Sequence, residues 1–183
     1  PFNSGADNTW QWHYDTANFD SSGPIMINEL YFRANIASNL VTNLSITDLT
    51  ITLIEASTDV LVNDIILANN IQRSEVVRTG SYFLNSDTSS RNGVTAGWIP
   101  LRLQKSFLYD PSSGNDLIIE VRTCGMNSTI GFSMDGDFQA GIFRRGDTAS
   151  CAALTGATTN TNFAPIVRID YTPVLEQTLP AGE

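Results

Sequence analysis

The sequence predicts an all-β fold, an antiparallel β-sandwich of jelly-roll type. Three observations predict it. Short apolar runs alternate with polar residues at a period of two. Long connections rich in Gly, Pro, Ser, Asn and Asp separate them. No segment of the 183 residues keeps a clean helical period. Hydrophobic residues make up 42% of the chain, enough for a sizeable core.

The elements follow in order. Trp10, Trp12 and Tyr14 are spaced by two, so in a strand all three project from one face. Residues 24–33 are rich in Ile, Met, Tyr and Phe, and their alternation changes phase around Glu29, as a bulge would cause. Leu49, Ile51 and Leu53 alternate with Thr50 and Thr52, the pattern of a half-buried strand. Residues 59–72 fit a 3.6-residue period only loosely and read as a short helix or a turn. Ile99, Leu101 and Leu103 alternate again, as do Val167, Ile169 and Tyr171. Leu117, Ile119 and Val121 do so less cleanly, because Ile118 is apolar too. Turn clusters lie at 20–24, 85–93 and 109–115. The expected organisation is an extended tail over 1–9, one sandwich domain over 10–172, and a second extended tail over 173–183.

Several of these segments carry a resemblance. They are Trp10-Gln-Trp-His-Tyr-Asp15 with Phe19, Gly23-Pro-Ile-Met-Ile-Asn-Glu-Leu-Tyr-Phe-Arg33, Ile54-Glu-Ala-Ser-Thr58, Leu67-Ala-Asn-Asn-Ile71 and Ser106-Phe-Leu-Tyr-Asp-Pro-Ser-Ser-Gly-Asn115. In that order they resemble a β-sandwich domain of secreted bacterial proteins, many of which carry a C-terminal PEP-type (PEP-CTERM) sorting signal. The resemblance covers residues 10–124. It implies an exported sandwich and no particular reaction. The family's membrane-sorting tail is not matched at the end of this chain.

Charge and composition narrow the function. Lys and Arg number 10 against 19 Asp and Glu, a net charge of -9. A polyanion is repelled, which argues against nucleic acid and against anionic membrane surfaces. No apolar run approaches the roughly 18 residues of a membrane span, so no span is expected. The start at Pro1-Phe2-Asn3 reads as a mature secreted chain whose signal peptide has been removed. Thr, Ser and Asn together number 52, so the polar surface rests on hydroxyls and amides rather than on ions. Cys124 and Cys151 are the two cysteines of an apparently exported chain and are expected to form a disulfide. Asn43-Leu-Ser45 and Asn127-Ser-Thr129 are glycosylation sequons, and the Thr-rich run 155–161 is a flexible loop or an O-glycosylated one.

Catalytic signatures are sparse. His13 is the sole histidine, sits between two aromatics and lacks a Gly-x-Ser-x-Gly elbow, so it reads as a structural strand residue. Glu29, Glu55 and Glu120 fall in strands with no spacing that makes two of them face each other. Asp135 and Asp137 flank Gly136 and are a candidate Ca2+ site, against a simple tight turn. Asp110 and Asp116 read as turn formers. Trp10, Trp12 and Tyr14 form a sugar-stacking platform if exposed, and fill the core if not. A core of this size needs large side chains, which favours the second.

The expected function is therefore a non-enzymatic, secreted structural subunit of a fibre, sheath or surface layer, possessing no cofactor unless Ca2+ binds. Its terminal tails would join it into a homo-oligomer or filament by strand addition. The alternative is a carbohydrate-binding or lectin-like module.

Overall fold

In the computed structural model the alternating runs become twelve strands among the described residues, which are 2, 7–33, 44–57, 71–84, 98–127, 134–138, 143–148, 151 and 163–174. Every pairing is antiparallel. One six-stranded sheet has β1 (Asn8–Tyr14) between β10 (Phe143–Thr148) and β8 (Asp116–Met126). It continues through β3 (Leu44–Ala56), which pairs with both β4 (Ile71–Arg78) and β5 (Tyr82–Leu84). A four-stranded sheet is centred on β2 (Ile25–Arg33). On one side of it lies β12 (Val167–Pro173), and it also pairs with β6 (Trp98–Pro100) and β7 (Phe107–Tyr109). A small third pairing joins β9 (Gly136–Phe138) to β11 (Phe163–Pro165). Among the described residues the sheets do not close into a barrel, and the chain crosses between them from β1 to β2 to β3, as in a sandwich.

The core forms where Leu49, Ile51 and Leu53 of β3 and Leu117, Ile119 and Val121 of β8 meet Ile25, Ile27, Leu30 and Phe32 of β2. Ile51 lies opposite Val121 and Leu53 opposite Ile119, all fully buried. Phe32 on β2 presents its edge to Trp12 at 5.5 Å between ring centroids, and Phe2 packs 6.1 Å from Phe32. Ile118 points the other way. It is buried with Ile54 and Ala56 in a second cluster, which is why the alternation of β8 is unclean: both faces of this sheet are covered.

The phase change in residues 24–33 is a β-bulge. Asp170 pairs with Glu29 but Tyr171 pairs with Ile27, so Asn28 is the extra residue, and Ile27 and Leu30 both reach the core. The alternation at 99–103 does not yield one long strand. Arg102 adopts a left-handed φ of 58°, so β6 ends at Pro100, while Leu101 stays buried and its N–H donates to the Leu30 carbonyl. The turn at 110–115 is built as its residue types demand. The Asp110 carboxylate accepts from the Ser112 N–H, Pro111 opens a single 3-10 turn, and Gly114 closes it at φ 77°.

Three expected boundaries shift. Phe2 is 2% exposed, and Asp7 accepts a hydrogen bond from the Gly125 N–H, so these residues of the expected N-terminal tail pack onto the sandwich. Burial of the phenyl ring, worth about 2 kcal/mol, is what holds this segment down. β1 begins at Asn8, and β12 runs to Pro173, with the Val174 N–H donating to the Pro24 carbonyl. Of the candidate helix 59–72, residues 59–70 lie outside the described residues, and Ile71 and Gln72 open β4. Residues 175–183 and the turn cluster at 85–93 also lie outside. Cys124 and Cys151 are bonded, with Cα atoms 5.7 Å apart and a sequence separation of 27.

Candidate functional site

The aromatic row of β1 faces inward. Trp12 is fully buried and Tyr14 is 7% exposed, while Trp10 stacks on Trp12 at 5.9 Å and packs against the core. Hydrophobic burial of three large rings outweighs display, so the row is not an exposed sugar-stacking platform. His13, on the opposite face of β1, is fully buried as well.

The strand carboxylates are separately engaged. Glu29 accepts from the Leu30 and Leu103 N–H groups. Glu55 accepts from Ser113 Oγ and Asn115 Nδ2 and so anchors the 110–115 turn. Glu120 accepts from Gln11 Nε2 at 2.7 Å. Asp135 pairs with the Arg33 guanidinium, with Nε to Oδ2 at 2.7 Å. Among the described residues no group of three or more potential ligands is placed to hold a metal ion. Asp116 is buried at the start of β8. Asn127 is exposed just beyond β8, its amide oxygen accepting from the Ser45 N–H, and Asn43 lies outside the described residues.

Two features stand out on the side of the molecule where β12 lies. The first is the strand itself. Among the described residues its one hydrogen-bonded neighbour is β2. Its second half is exposed, with Tyr171 at 47% and Val174 just beyond at 41%. Because the Val174 N–H is turned inward to Pro24, the neighbouring position 173 faces outward, and there proline has no N–H to offer. On the solvent face Asp170 accepts from Tyr31 Oη and pairs with Arg168, whose guanidinium lies 4.7 Å over the Tyr31 ring. That hydrogen bond, ahead of partial burial and the Asp170 charge, raises the Tyr31 pKa.

The second feature is a cleft of about 350 Å³ beneath β12. Val167, Ile169 and Tyr171 form one wall, and Leu117, Ile119 and Ile25 line its interior. Phe19 is held against Tyr109 at 5.0 Å between centroids and contributes an aromatic edge. Asn18, Asp20, Ser21 and Asp137 supply polar groups. Tyr14 closes one side, its hydroxyl donating to the Pro165 carbonyl at 2.9 Å, and burial pushes its pKa well up. The local chain builds the polar rim: Asp15 caps the short 3-10 turn Thr16–Asn18 by accepting from the Ala17 N–H, which projects Asn18 to Ser21 beside the opening. Sequence reasoning named Tyr14, Phe19 and Asp137, and the strand residues Leu117, Ile119, Val167, Ile169 and Tyr171, none of them for this cleft. The lining comes from at least four separated segments, so no spacing announces it.

Compared with known proteins, the chain matches no protein-family model, no curated protein and no solved structure.

Proposed function

We propose that this chain is a non-enzymatic structural subunit of an extracellular or cell-surface assembly, joined to its neighbours by strand addition at the free edge of β12. The observation that carries this reading is the edge itself. β12 is paired on one side among the described residues, is exposed over its second half, and leads into a segment bearing Leu175 and Leu179. An open strand offers a row of main-chain donors and acceptors to an incoming strand, and exposed apolar side chains add burial. The β4 edge of the six-stranded sheet is less inviting. β4 exposes Gln72, Arg73 and Ser74, and Glu75 is paired with Lys105 at 2.6 Å, so charge and hydration guard it.

Other features support the same reading. His13 is buried in a strand, and Glu29, Glu55 and Glu120 hold structural hydrogen bonds, which suits a scaffold better than a catalyst. The Cys124–Cys151 bond suits an oxidising compartment, and the exposed Asn127 suits glycosylation there. The experiment is negative-stain microscopy of concentrated protein with and without Val174→Lys, which sets a charge on the proposed joining edge. Filaments or regular multimers of the natural sequence, reduced in the variant, are expected. Equal assembly of both proteins rejects β12 as the joint.

A further inference from the structure

We infer that the cleft beneath β12 binds a neutral saccharide, an activity carried by the side chains that line the cleft, whereas assembly is proposed through the main-chain edge of the strand. The volume of about 350 Å³ falls within the range of small-ligand sites. The chemistry of the lining selects the ligand. Among the described residues that line the cleft none is cationic and two are carboxylates, and the whole chain carries -9. An anionic ligand is opposed locally and at long range.

The rim instead offers acceptors. Asp20 and Asp137 are carboxylates. Ser21 Oγ already donates to the Gly23 carbonyl, and Asn18 Nδ2 to the Asp15 carbonyl. Asn18 keeps its amide oxygen and its second amide N–H, while Ser21 Oγ also accepts from the Gly23 N–H at 3.5 Å. Such a rim fits a ligand bearing many neutral hydroxyl donors. Below it, the 47%-exposed ring of Tyr171 and the edge of Phe19 give flat apolar surfaces for the C–H faces of a sugar ring. A purely apolar ligand would leave the rim's polar groups desolvated without partners, which is costly.

The test is calorimetric titration of the full chain with a panel of uncharged oligosaccharides: cellohexaose, xylohexaose, mannohexaose and chitohexaose. At least one is expected to bind, with little dependence on salt. Tyr171→Ala should weaken that binding by roughly tenfold or more, equivalent to the loss of one good contact. Asp20→Asn should weaken it to a smaller degree. Val76→Ala, at an exposed apolar residue on β4, should leave it unchanged. All three positions are exposed, and unaltered melting of each variant confirms the fold. Failure of every saccharide to bind overturns the inference. So does binding that survives both Tyr171→Ala and Asp20→Asn, or displacement of the sugar by spermidine, which would mark the rim as a cation site. None of these outcomes bears on assembly, which Val174→Lys tests separately.

Discussion

Replacing both Cys124 and Cys151 by serine removes the single covalent tie between β8 and the segment after β10. The bond closes a loop of sequence separation 27 that contains β9 and β10. On the chain-entropy model, closing a loop of that length restricts the unfolded chain by about 3.5 kcal/mol at 25 °C. Cys151 is half-buried and Cys124 sits opposite Asp48 in the β3–β8 ladder, so the serines bring no large cavity to confuse the comparison. For a chain of this size, 1 kcal/mol moves Tm by roughly 2–4 °C, so the double variant should melt about 7–14 °C lower. Scanning calorimetry of the natural and double-serine proteins, without reductant, measures the shift. Addition of reductant should lower the natural protein to the variant's Tm and leave the variant where it is. A natural protein that is insensitive to reductant, or two reactive thiols in its unreduced form, would refute the reasoning and weaken the case for an exported protein.

Two further outcomes follow from the core. Trp12→Ala should cost about 3–5 kcal/mol in a denaturant titration, because a fully buried indole against Phe32 leaves a cavity the sheets cannot close; Trp12→Phe should cost much less. Alkali should unfold the protein. Burial raises the hydroxyl pKa of Tyr14 and Tyr109 and lifts that of Tyr82 from 10.0 to about 12. A folded pKa above the unfolded one means the stabilisation is complete below pH 10 and is lost as pH rises through 12. Tyr82 alone then accounts for roughly 3 kcal/mol lost over that window. Ultraviolet titration should show these tyrosines ionising together with loss of β-sheet circular dichroism, and ionisation that precedes unfolding would contradict it.

Much of the sandwich was legible because its apolar residues keep a period of two. Thr50 and Thr52 are buried as well, so β3 is covered on both faces there rather than half-buried. Leu49, Ile51 and Leu53, and Val167, Ile169 and Tyr171, each read correctly as one row of a strand. The bulge at Asn28 was legible for the same reason, since an extra residue must flip the burial phase. Ile118 was harder, because a sheet covered on both faces erases the alternation that periodicity relies on. The strand expected through Leu103 ends early at Pro100, before the left-handed Arg102, which turns the chain and leaves no apolar mark. The candidate site was scarcely legible. Its cleft joins Phe19 and Asp20 after β1 to Ile169 and Tyr171 on β12, about 150 residues apart in the chain. Only the fold brings them together. The aromatic triad of β1 fills the core, as the need of a core this size for large side chains predicts; spacing by two reports only the shared face and not whether that face meets water.

The central claim is that subunits join at β12 through the chain that follows it. Sedimentation velocity of the intact protein, and of the protein ending at Val174, tests it most directly. Ordering the nine residues 175–183 costs roughly 1–2 kcal/mol each in backbone entropy, which Leu175 and Leu179 cannot repay by burial alone. In an assembly that orders this segment, main-chain hydrogen bonds to a neighbouring edge would supply the difference. The account predicts multi-subunit species that grow with concentration for the intact chain, and a folded monomer with unchanged Tm for the shortened one. An intact chain that stays monomeric at its highest soluble concentration, or a shortened chain that assembles just as well, contradicts it.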